Sequence, residues 1–120
     1  MSSIKKILIV DDTLFMRGTL KTMLIKNNYQ VIGEADNGEL AIQKFKELNP
    51  DVVLMDIAMP IMDGISALKE IKKFAPNSKI IIVSALELKE IIMEAISSGA
   101  DGFIAKPFSK EKIIEALRDI

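Results

Sequence analysis

At 120 residues the chain has room for one domain, and a domain of this size buries roughly two thirds of its unfolded surface. Apolar residues make up 49% and charged residues 28% of it, an ordinary globular balance, and a net charge of -1 gives no electrostatic case for nucleic acid or an anionic membrane. Cysteine and histidine are both absent, which excludes disulfides, thiol chemistry, serine–histidine triads and histidine-ligated zinc. Chemistry is left to carboxylates, lysine, hydroxyls and a hard metal ion. The N-terminus lacks a signal-peptide apolar region, and no apolar run approaches the roughly 18 residues of a membrane span, so the expected location is cytoplasmic.

Residues 4–10 read as a strand ending at Asp11-Asp12. From Thr13 to about Lys26 the apolar spacing is helical, with Met16, Leu20, Met23 and Leu24 on one face. Asn27-Asn28 ends that helix, since asparagine tolerates the left-handed conformation. Residues 29–35 form a second strand, and Asn37-Gly38 opens a helix with Ala41, Phe45 and Leu48 inward, stopped at Asn49-Pro50. Residues 51–56 are a run of four apolar residues closed at each end by an aspartate, the pattern of a short strand buried on both faces. Pro60 forbids its continuation. Asp63 caps a third helix with Leu68, Ile71 and Ala75 inward, stopped by Pro76. Residues 79–83 are a buried strand. Ser84 and Glu87 are spaced as a capping box for a fourth helix that ends at Gly99. Residues 102–105 are the last strand, and Ser109 caps the last helix.

Strands alternating with helices imply βαβ units and a doubly wound parallel sheet, with helices on both faces and all strand C-termini on one edge. Ligands bind at that edge. It receives Asp11 and Asp12 from strand one, Asp56 from strand three, Ser84 from strand four and Lys106 from strand five. Two unit charges about 4 Å apart repel by roughly 4 kcal/mol at an effective dielectric of 20, so the acids need a divalent cation, Lys106 or a proton. An oxygen-only donor set selects a hard ion, and incomplete protein ligation suits Mg²⁺. These parts suit phosphoryl transfer, which depends on positioning and charge neutralisation.

Asp11-Asp12, Asp56 with Met59-Pro60 and Asp63-Gly64, Ser84-Ala85, and Lys106-Pro107-Phe108 together resemble the receiver domain of two-component response regulators. The resemblance spans residues 1–120 as one domain and implies the flavodoxin-like, CheY-like strand order 2-1-3-4-5. It implies that Asp56 accepts a phosphoryl group from a histidine kinase. It makes Asp12 a direct and Asp11 a mainly water-mediated ligand of Mg²⁺, with the backbone carbonyl of Ala58 completing the set. Lys106 would pair with the phosphate across a cis Lys106-Pro107 bond, and Ser84 would donate its hydroxyl to a phosphoryl oxygen. Phe103 falls at the family's switch aromatic. Four of these have a plainer structural reading: Asp12 capping the first helix, Ser84 the fourth, Lys106 a surface lysine before a proline, and Phe103 filling core.

Asp11-Asp12-Thr-Leu-Phe15-Met16-Arg17 resembles the stand-alone chemotaxis receivers, which implies a CheA-like histidine kinase and a motor switch protein or adaptor. That partner would bind the face of helix four, strand five and helix five, and the receiver itself would be a monomer. Phe15 lies about 100° from the apolar stripe of its helix, free to meet a kinase or phosphatase or to pack under the loop after strand three. Glu87, Glu90 and Glu94 share one face of helix four, with Leu88, Ile92 and Ala95 on the inner side. Such a face favours a basic partner, for example an adaptor of the archaeal motor kind, or is simply solvated. Ala58 and Leu86 cannot orient an attacking water, which predicts slow self-dephosphorylation, although small Ala58 also leaves water room. The protein would not be an enzyme beyond its own phosphotransfer. A phosphorelay receiver passing the group to a second histidine protein is the alternative. Flavin binding would require donors where Asp11 and Asp12 stand, and a docking-only pseudo-receiver would lack part of this set.

Overall fold

The computed structural model describes residues 4–86 and 88–120. Its elements run β1 (Lys6–Val10), α1 (Leu14–Lys26), β2 (Gln30–Ala35), α2 (Gly38–Leu48), β3 (Val52–Met55), α3 (Gly64–Phe74), β4 (Ile80–Ser84), α4 (Lys89–Ser97), β5 (Gly102–Ala105) and α5 (Lys110–Arg118). The strands form one parallel sheet in the order β2-β1-β3-β4-β5.

The apolar runs of β1, β3 and β4 divide by the twofold period of a strand. Leu8, Val10, Val53, Met55, Ile80 and Ile82 pack with Ala41, Phe45, Leu68, Ile71 and Ala95, from α2, α3 and α4. Ile7, Ile9, Val52, Leu54, Ile81 and Val83 pack with Leu20, Leu24, Ile113 and Leu117, from α1 and α5. Covering both faces is what lets these strands be continuously hydrophobic.

Four helix starts carry a side-chain cap: Thr13, Asn37, Asp63 and Ser109 each accept a bond from the backbone N–H three residues on. Asp12 is therefore not the cap of α1. The fourth helix differs from its predicted start. Ser84 ends β4 opposite Ala105, and its Oγ accepts from the Leu86 N–H at 3.1 Å, so it caps nothing. α4 begins after Leu88 with no side-chain cap, and Glu87 lies outside the described residues. Leu88 is 61% exposed rather than inward, because it precedes the helix. Ala95 is buried, and Ile91 packs on the core below α4.

The β3–α3 loop is tightly held. A Cβ on Gly64 would lie 1.8 Å from the Asp56 carbonyl oxygen, so only glycine lets α3 start against the end of β3. Ile61 adopts φ 70° between Pro60 and Met62, whose carbonyl and N–H bond at 2.7 Å, a strained γ-turn for a β-branched residue.

Candidate functional site

Parallel register brings the reactive ends together. Val10 pairs with Met55 and Ser84 with Ala105, so the residues that follow these strands emerge side by side. The backbone stitches them further: Asp56 N–H donates to Val10 O at 2.9 Å, and Lys106 N–H to Ser84 O at 2.9 Å.

Asp11 is 1% exposed and held at every polar atom. Its N–H donates to Ala35 O at 3.0 Å. The Thr13 N–H and hydroxyl donate to Oδ1 at 2.9 and 3.1 Å, Lys106 Nζ donates to Oδ2 at 2.6 Å, and Arg17 Nη1 donates to the Asp11 carbonyl at 2.7 Å. Asp56, 6% exposed, accepts from the Ile57 N–H at 2.8 Å and from Lys106 Nζ at 3.2 Å. Asp12 is exposed at the mouth. One carboxylate oxygen from each of Asp11, Asp12 and Asp56 lies within 4.8 Å of the others, a spacing that can hold a metal ion.

Burial pushes the Asp56 carboxyl above its ordinary range, aided by the Asp11 charge, and the Lys106 ammonium opposes the rise without cancelling it. Burial also works to lower the Lys106 pKa. The hydrogen bond to Asp11 and the charges of Asp56 and Asp11 more than offset it, so the ammonium is held above its usual value. The cation is thus the present counter-charge of the acid cluster.

The remaining predicted residues fall around this centre. The Lys106-Pro107 peptide is cis. Ser84 is 1% exposed at the end of β4. Phe103 lies opposite Ile82 on β5, half-buried against the core beneath α4. Ala58 and Leu86 line a groove between α3 and α4 with Lys69 and Glu94. Glu94 pairs with Lys69 of α3 at 3.0 Å, so part of the acidic side of α4 faces α3 rather than Phe103. Glu90 is exposed. Phe15 is 81% exposed beside Leu14 at 74%, on a groove along α1, rather than packed under the β3–α3 loop. Sequence reasoning gave no role to Thr13 or Arg17. A hydroxyl two residues after Asp11 and a cation one turn into the helix were the available signals.

A parallel sheet ending in three carboxylates, a hydroxyl and a lysine on one edge is the arrangement of a signal receiver. The family model of the response regulator receiver domain matches residues 7–118, and the chain belongs to that family. It is 52% identical over 116 residues to the chemotaxis protein CheY of Thermotoga maritima, covering 97% of each chain. It is 49% identical to the chemotaxis protein CheY of Bacillus subtilis, covering 93% of each. A chain of the CheX–CheY–BeF₃–Mg²⁺ complex from Borrelia burgdorferi superposes with a TM-score of 0.92 at 34% identity, over 96% of this chain and 87% of that one. The protein is a CheY-like receiver-domain response regulator.

Proposed function

We propose that this receiver takes a phosphoryl group onto Asp56 from a phosphohistidine of a histidine kinase and thereby changes its affinity for a partner in motility control. The observation that carries the reading is the convergence of Asp56, Asp11, Asp12 and Lys106 on one buried edge. Transfer breaks the donor's P–N bond and forms an acyl phosphate with a carboxylate oxygen of Asp56. The donor nitrogen takes up the proton it needs to leave as neutral imidazole. Asp11, Asp12 and Asp56 fit Mg²⁺, a hard ion taking oxygen donors only, and the Ala58 carbonyl is the further protein donor that the family resemblance implies. Bound there, it would supply charge neutralisation for the phosphoryl oxygens.

Lys106 already neutralises Asp11 and Asp56 and would turn to a phosphoryl oxygen. Ser84 Oγ accepts from Leu86 at 3.1 Å, leaving its own proton free to donate to the phosphate. That movement would open space for Phe103 to turn inward and reshape the face of α4, β5 and α5, where the motor switch protein or adaptor binds. Exposed Phe15 and Leu14 beside the acids offer an apolar footing for the kinase. Ala58 and Leu86 orient no water, so the acyl phosphate decays slowly. The chain catalyses no reaction on a separate substrate. Incubation with acetyl phosphate and Mg²⁺, followed by mapping, tests the reading: Asp56 gains the group, and Asp56→Asn does not. An Asp56→Asn variant modified equally would defeat it. Onward transfer from phospho-Asp56 to a second histidine protein would instead identify a relay. Charge reversal of Glu90 and Glu94 should alter partner binding, and unchanged binding would remove the acidic side of α4 from the interface.

A further inference from the structure

We infer that Arg17, braced by Glu34, is a positioning residue that sets the Asp11–Asp12 peptide and so aims Asp12 at the metal site. The inference rests on the reading that this acid cluster holds Mg²⁺.

Arg17 stands one turn into α1, its side chain 15% exposed. Its Nη1 donates to the Asp11 carbonyl at 2.7 Å while its Nε donates to Glu34 Oε1 at 3.0 Å. Glu34 lies on β2 opposite Ile9, and Lys21 approaches its other oxygen at 3.5 Å. The guanidinium therefore ties helix α1, strand β2 and the end of β1 together through one planar fork, which a lysine cannot reproduce.

The bonded carbonyl matters because it belongs to the peptide that carries Asp12. Asp11 N is fixed to Ala35 O at 3.0 Å, and Arg17 fixes Asp11 O. A trans peptide is planar, so these two anchors set the plane of the Asp11–Asp12 peptide and the place of the Asp12 Cα, while the Thr13 N–H bond to Asp11 Oδ1 at 2.9 Å holds the chain on the far side of Asp12. Asp12 itself is exposed. Nothing in its own side-chain hydrogen bonding is needed to bring it within 4.8 Å of the other two acids. Its aim comes from the backbone.

The sign of the effect separates this role from plain electrostatics. A cation beside an acid cluster repels Mg²⁺, so deleting it as a charge alone would raise metal affinity. Deleting it as a positioning group lowers affinity. Titration calorimetry with Mg²⁺ on the full chain, with urea unfolding as the stability control, distinguishes the two. Arg17→Met should weaken Mg²⁺ binding by about 10-fold, the usual effect of groups that orient metal ligands. Arg17→Lys, which keeps the charge without the fork, should also weaken it. Because Arg17 acts through Asp12, adding Asp12→Asn to Arg17→Met should cost less than Asp12→Asn costs alone. Unchanged or tighter binding in folded Arg17→Met and Arg17→Lys, with wild type binding Mg²⁺, overturns the inference alone. Wild type that binds no Mg²⁺ overturns the site reading and this inference together.

Discussion

Lys106 lies closer to Asp11 than to Asp56, at 2.6 Å against 3.2 Å. The lysine therefore rests as the internal cation of the carboxylate cluster, its weight on Asp11. Removing it leaves two buried carboxylates without their shared partner. Lys106→Met should destabilise the fold by about 3–5 kcal/mol. Millimolar Mg²⁺ should recover part of that loss by mass action, read as a rise in the urea midpoint. Because the folded pKa of Lys106 is raised, its contribution is complete below the ordinary value of 10.5 and lost as pH climbs through the raised one.

Asp56 differs in that its charged form is the one the fold disfavours. Its carboxyl binds a proton more tightly when folded, so wild-type stability falls as pH rises from 3.8 through the raised folded value. Asp56→Asn removes that penalty. The variant should be more stable than wild type at neutral pH, and the two should converge in acid. Denaturant titrations at pH 3 to 8 check this.

Ser84 connects the phosphoryl site to Phe103 in the proposed switch. Ser84→Ala should still take up phosphate from acetyl phosphate, since Asp56 and Lys106 are intact. The aromatic NMR signals of Phe103 should shift in the wild type on adding beryllofluoride with Mg²⁺ and stay largely unmoved in the variant.

Ala58 and Leu86 offer no polar side chain to orient an attacking water. Radiolabelled phospho-Asp56 should decay slowly, and Ala58→Asn should shorten its lifetime severalfold. A wild-type lifetime as short as that variant's would refute the assignment.

Ile61 is held at φ 70° while 77% exposed. A β-branched residue bears the strain of the γ-turn there, on the order of 1–3 kcal/mol. Ile61→Gly, which has no Cβ to clash there, should raise the melting temperature by a few degrees.

Periodicity exposed the architecture because strands sealed on both faces must be apolar throughout, and Val52 to Met55 and Ile80 to Val83 carry no polar residue. Asp56, Asp11, Asp12 and Lys106 were legible for a related reason, since charged residues directly after buried strands have only one edge to occupy. Boundaries were less so. Ser84 reads as a helix cap by spacing alone, but pairing with Ala105 keeps it in the sheet. Leu88 fits an inward helical stripe only if the helix starts early enough to include it. Arg17 was hidden because its partners, a backbone carbonyl and Glu34, leave no mark in a linear pattern. The pairing of Glu94 with Lys69 likewise depends on how α3 and α4 lie side by side.

The bond between Lys106 and Asp11 joins residues 95 positions apart. A ribosome releases Asp11, Asp12 and Asp56 long before it releases Lys106. Until β5 is laid against β4, the acids have no counter-charge and Asp56 has no finished pocket. On the proposed role of Asp56, half-made or half-folded chains would be deaf to a kinase.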